Sequence, residues 1–140
     1  MLCRTTDWTV GHVHSGALGW VAMVSIGALY HMVMKLWDTE MYSMKLINFH
    51  FWLATIGTVF YVVAMWVSGI MQGLMWRAYD EYGTLAYSFV ESVAAMHPYY
   101  VMRAVGGFLF FSGAAVMLYN VVMTIRTANA RQESAATANA

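Results

Sequence analysis

The 140-residue chain reads as an all-α integral membrane protein with three transmembrane helices. Its hydrophobic fraction is 61% and its charged fraction 10%, against roughly 45–50% and ~25% for soluble domains. So few charges cannot coat a soluble surface around this much Met, Val, Trp and Tyr. Three long stretches carry no Asp, Glu, Lys or Arg: Trp8–Met34 over 27 positions, Leu46–Trp76 over 31 and Ala104–Ile125 over 22. A bilayer core needs about 20 apolar helical residues, so each stretch is long enough to span.

Each element follows from these runs. Residues 1–8 form a short entry segment, and helix A covers about 9–35. The first apolar run is too long for a signal peptide and holds two histidines. A loop over 36–45 leads to helix B at about 46–76, which exceeds the need and is expected to tilt. A second loop spans 77–102. Within it Leu85, Phe89, Val93 and Met96 recur at helical spacing, which predicts a short amphipathic helix over Thr84–Met96. Pro98 precedes helix C at about 103–126, where a missing N–H is harmless. The polar stretch 127–140 reads as a disordered tail. Trp37, Tyr42, Trp76, Tyr79, Tyr99 and Tyr100 fall at span ends, where amphipathic rings favour the headgroup region.

Charge and cysteine usage narrow the function classes. Seven basic and seven acidic residues give a net charge of zero, so there is no electrostatic footprint for nucleic acid. Cys3 is the single cysteine, which excludes an intrachain disulfide. Three spans place the termini on opposite sides. Lys35, Lys45, Arg126 and Arg131 share one side, and Arg4, Arg77 and Arg103 the other. The excess leans the tail towards the cytoplasm.

The residues richest in chemistry are Gly11-His12-Val13-His14-Ser15-Gly16, at the head of helix A. Ionisable residues inside a span are expensive and point to function. Positions i and i+2 of an α-helix are about 200° apart, so His12 and His14 cannot chelate one ion together. Each can hold a separate group, with the helix between them. Gly16 and Gly19 stand at i+4 and i+7 from His12 and would clear space for a flat macrocycle. Leu18, Val21 and Ala17 line the His14 side. Imidazole is a common axial haem ligand. The competing reading is a pair of interfacial histidines hydrogen-bonded to water.

Thr6-Asp7-Trp8-Thr9-Val10-Gly11-His12-Val13-His14-Ser15-Gly16-Ala17-Leu18-Gly19-Trp20 closely resembles the tenth transmembrane helix of the haem–copper oxidase catalytic subunit, specifically the cbb3-type cytochrome c oxidase. His50-Phe51-Trp52 and the run Met65 to Arg77 resemble the eleventh helix, and Tyr99 to Arg126 the twelfth. The resemblance implies the last three spans of a twelve-helix bundle, a C-terminal portion of subunit I in a bacterial inner membrane. It implies that His12 binds the iron of the high-spin haem b and His14 that of the low-spin haem b. It implies copper in the full subunit, with ligands outside this chain. The activity implied is oxidation of cytochrome c and reduction of dioxygen to water with proton translocation. The 140-residue chain would be inactive alone. Implied partners are the remaining helices of the subunit, membrane-anchored cytochrome c subunits and the lipid bilayer.

Arg77, on the same side as His12, is a candidate for bidentate contact with haem propionates. The sequence departs from the family pattern at Arg4-Thr5-Thr6-Asp7-Trp8, where many members read His-Tyr-Thr-Asp-Trp. Arg4 could serve as the replacement cation. Two alternatives compete: the large subunit of a nitric oxide reductase, and a non-catalytic membrane assembly fragment. His31, His50 and His97 read as interfacial or packing residues, with a proton-path role open for His50. Tyr61, Tyr119 and Asn120 carry polar groups in or near the membrane that need partners the sequence does not name.

Overall fold

The computed structural model describes residues 5–138, all of it helix and loop apart from one isolated bridge between Tyr79 and Leu85. Three helices are long and apolar enough to cross a membrane: Asp7–Leu36, Met44–Met75 and Phe89–Ala138. The all-α, three-span expectation holds. The expected feature at Arg4 lies outside the described residues.

The first span is not uniform. It consists of α1 (Asp7–His14), a π-wound segment (Ser15–Ala22) and α2 (Met23–Leu36). In π winding each N–H reaches back five residues instead of four. Such turns are rare and are frequent at functional sites. No periodicity in the apolar residues announces this one. It re-phases every side chain beyond Ser15 relative to the two histidines.

α3 (Met44–Met75) begins at Ser43, whose side chain accepts from the Leu46 N–H at 3.4 Å. At 32 residues it is about 48 Å long, well over the ~30 Å hydrocarbon thickness. Both of its ends must leave the apolar layer or tilt within it.

α4 (Phe89–Ala138) differs most from expectation. It starts with a capping box. The Ser88 backbone N–H and hydroxyl both donate to Glu91 Oε2, at 2.7 and 2.9 Å, and the Glu91 N–H donates to Ser88 Oγ at 3.3 Å. That reciprocal arrangement satisfies the orphan donors of a first turn. The helix then runs through Pro98, so no separate amphipathic helix forms over 84–96. Leu85, Phe89 and Val93 are exposed; the buried face is Ser92 and Met96. Tyr99 and Tyr100 sit inside the helix rather than at its start. At the other end α4 continues over 127–138, where the composition suggested disorder. This stretch is rich in Ala and other good helix formers. The hydroxyls of Ser134 and Thr137 fold back to carbonyls four residues earlier, at 2.8 and 3.1 Å. Loss of apolar character marks where α4 leaves lipid, not where it ends.

The helices pack antiparallel in a steady register. Between α3 and α4, Ser68 meets Met96, Gly57 meets Gly106, His50 meets Gly113 and Ser43 meets Asn120. Small residues permit this closeness. A Cβ on Gly106 would lie 2.8 Å from the Tyr61 nitrogen. α1 lies along the C-terminal half of α3. A Cβ on Gly11 would lie 2.6 Å from Trp66 Cδ1, and one on Gly69 would lie 2.6 Å from Trp8 Cα. At the opposite end Tyr30, Val33, Met41 and Val121 form a buried apolar cluster.

The link between α2 and α3 is clipped onto α4 by polar groups. Asn120 accepts from the Ser43 N–H and donates to the Ser43 carbonyl, both at 3.1 Å. Thr124 accepts from the Tyr42 N–H at 3.0 Å. Asn120, fully buried, thus spends its amide on backbone that no helix ladder serves. Tyr119 meets the Tyr42 ring edge-on at 6.4 Å.

Candidate haem-ligating turn

The site is built on one turn of α1. Gly11 is buried against Met65 and Trp66 of α3, because only a hydrogen in place of a side chain lets the two helices approach there. With ~100° per residue, His12 lies about 100° to one flank of that contact and His14 about 60° to the other. The two imidazoles leave the helix on either side of its line of contact with α3.

Their surroundings differ. The His14 ring nitrogen Nδ1 is 2.8 Å from the Val10 carbonyl oxygen. A carbonyl can only accept, so Nδ1 carries a proton, and in the neutral ring the lone pair then lies on Nε2. That is the tautomer a metal-binding histidine needs, with its other nitrogen held by a carbonyl. The ring stacks on Tyr61 of α3, with centroids 4.7 Å apart and planes 28° from parallel. His12 is exposed, and its ring lies parallel to Trp8 one turn earlier, at 5.3 Å and 7°.

Space beside the histidines suits a flat macrocycle. A Cβ on Gly16 would meet nothing within 4 Å. The π-wound segment has no buried residue, and Val13, Trp20 and Val21 are 56–72% exposed. Gly19 is exposed as well, and a Cβ there would come only into ordinary contact with Thr58 Cγ2 of α3 at 3.8 Å. The donor set also fits one axial ligand per iron: each histidine stands alone, and among the described residues no three His, Cys, Asp or Glu side chains converge on a metal-sized site.

The start of α1 is held by its neighbours. Thr6 makes no side-chain cap, and the Asp7 N–H instead donates to Gln72 Oε1 of α3 at 3.1 Å. The hydroxyl of Ser68, fully buried, donates to Asp7 Oδ2 at 2.8 Å and lies 3.1 Å from Met96 Sδ. Tyr100 of α4 lies within electrostatic range of both Asp7 and Arg103, and the Arg103 guanidinium sits over the Tyr100 ring at 5.1 Å. The pairing of Asp7 with Gln72 and Ser68, and of Ser68 with Met96, was not legible in the sequence, because these partners are 28 to 65 residues apart. Arg77 lies just past α3, exposed, its N–H donating to the Leu74 carbonyl at 3.2 Å. It shares its end of the bundle with Asp7, five residues beyond Gln72.

His50 is buried at the far end, where its Nδ1 hydrogen-bonds the Tyr30 hydroxyl at 3.1 Å. The pair borders an apolar cavity of about 180 Å³ lined also by Met23, Ile26, Gly27, Ile47 and Phe51. His31 and His97 are exposed.

Residues 1–109 match the family described as cytochrome c and quinol oxidase polypeptide I. The chain is 62% identical over 125 residues to a cytochrome c oxidase subunit 1 homolog of Agrobacterium tumefaciens, covering 89% of this chain and 23% of that protein. It is 61% identical over 136 residues to the cbb3-type cytochrome c oxidase subunit CcoN1 of Stutzerimonas stutzeri, covering 96% and 29%. It is 53% identical over 133 residues to cytochrome c oxidase subunit 1 of Rhodobacter capsulatus, covering 91% and 25%. The chain spans about a quarter of the length of these relatives. Matched by this family over residues 1–109 and by such relatives over most of its length, the chain belongs to the polypeptide I family of cytochrome c and quinol oxidases.

Proposed function

We propose that the chain forms the C-terminal part, the last three of twelve spans, of the catalytic subunit of a cbb3-type respiratory terminal oxidase in a bacterial inner membrane. The whole subunit oxidises cytochrome c and reduces dioxygen to water while moving protons across the membrane. Its partners are the remaining helices of the subunit and membrane-anchored cytochrome c subunits. In this reading His12 would hold the iron of the high-spin haem b, and His14 would supply one of the two ligands of the low-spin haem b, the other coming from outside this chain. The copper of the full subunit takes its ligands from outside this chain.

The single observation that carries the reading is the pair of imidazoles on opposite flanks of one helical turn, with the His14 Nδ1 proton already committed to Val10. The chemistry the haems supply when bound is one-electron transfer and dioxygen binding at iron. The chain's own part is positional. His14 presents Nε2 in a fixed tautomer, His12 presents an open ring braced by Trp8, and Gly16 leaves room beside the helix. Both ligands share a backbone only two residues long, which fixes the separation an electron must cross. Arg77, exposed at the same end, offers a guanidinium to propionates.

The test is substitution in the full subunit, read by redox difference spectra. His14→Ala should remove the low-spin haem signal, and His12→Ala the signal of the ligand-binding haem. Full haem content in both variants would overturn the reading and favour a non-catalytic assembly fragment.

A further inference from the structure

One hydrogen bond does not fix a ring. The contact from Nδ1 to Val10 sets the tautomer of His14 and leaves the imidazole free to rock about that bond. The second contact is the face of Tyr61, 4.7 Å away and 28° from parallel. Tyr61 is itself wedged. α4 passes directly behind its backbone, so close that a Cβ on Gly106 would lie 2.8 Å from the Tyr61 nitrogen and 3.2 Å from its Cα. The Tyr61 backbone is thus held against α4 while its ring lies along one face of the α1 imidazole. A neighbour that fixes the ring orientation of a metal-binding histidine also tunes the metal it holds.

We infer that Tyr61 is a positioning residue for the low-spin haem: its ring face sets the imidazole plane of His14 and so the electronic character of the iron bound there. This rests on His14 being an iron ligand, as proposed above. The phenol hydroxyl takes no part; the ring does the positioning.

The experiment uses the full catalytic subunit in its complex, with electron paramagnetic resonance of the oxidised low-spin haem and a redox titration of that haem. Tyr61→Phe keeps the face and should leave g values and midpoint potential unchanged. Tyr61→Leu fills space without a face; haem content should be retained while the low-spin g values shift or split and the midpoint moves. Where Tyr61→Leu does not assemble, Tyr61→Met, more adaptable in packing, gives the same reading. A single unchanged set of g values in Tyr61→Leu or Tyr61→Met overturns the inference. So does a shift in Tyr61→Phe as large as in Tyr61→Leu, which would assign the effect to the hydroxyl. His14→Ala separates the two levels. If it loses the low-spin signal while Tyr61→Leu changes nothing, the inference alone fails; if it keeps the signal, the ligand assignment fails first.

Discussion

Gly57 of α3 and Gly106 of α4 face one another so closely that a Cβ on either would stand 2.7 Å from the other's carbonyl oxygen. Neither backbone can yield without moving its whole helix. Gly106→Leu is expected to force the helices apart and to destabilise the bundle by about 1–3 kcal/mol or more. Gly107→Ala, where a Cβ would meet nothing within 4 Å, is the matched control. Thermal melting of the purified complex in detergent, with both variants side by side, checks this.

Gly11 and Gly16 should respond in different ways. Gly11→Ala drives a methyl into Trp66 and Met65 and is expected to cost about 1–3 kcal/mol of stability. Gly16→Leu meets no atom of this chain within reach of its Cβ. It should fold normally and lose most of the haem beside His12. Haem per protein, measured by pyridine haemochrome alongside a melting curve, separates the two effects.

Ser68→Ala removes the hydroxyl donor to the Asp7 carboxylate. Hydrogen bonds to charged groups contribute about 1.5–3 kcal/mol, so a loss in that range is expected. Asp7→Asn should cost less, since an amide oxygen still accepts. Denaturation midpoints of the two variants, compared with the parent, test the ordering.

The loop before α4 has its own pH dependence. Hydrogen bonds from Thr84, side chain first and backbone next, with further ones from Tyr82 and Gly83, hold the exposed Asp80 carboxyl below its ordinary range. A lowered folded value means the carboxylate supports the turn fully above the unfolded value. That support fades as pH falls through the lowered folded value. The protection of the Tyr82 and Thr84 amides, taken as the intrinsic rate at each pH over the observed one, should therefore be high at neutral pH and fall in acid, and Asp80→Asn should flatten that profile. Amide exchange followed by mass spectrometry reads this directly.

Sequence periodicity and charge spacing located the spans well where lipid and helix coincide. The expected 46–76 became Met44–Met75, and 9–35 became Asp7–Leu36 with its π segment included. They failed at α4 because Glu91, Arg103 and Arg126 mark the edges of an apolar layer but do not break a helix. The Ser88–Glu91 capping pattern was present in the sequence and gives the true start. His12 and His14 stood out because ionisable groups in an apolar run are conspicuous. Tyr61 stood out only as a phenol in need of a partner, and Ser68 and Gln72 not at all, because their roles depend on the antiparallel register of α1 and α3. That register is set by glycine contacts such as Gly11 on Met65 and Gly69 on Trp8, which only the folded chain displays.

The acceptor that holds His14 belongs to its own turn, four residues earlier. Donor and acceptor are thus made together as soon as that turn winds. Which ring nitrogen bears the proton is therefore a local property of α1, decided within a single turn and without any contact from α3 or α4.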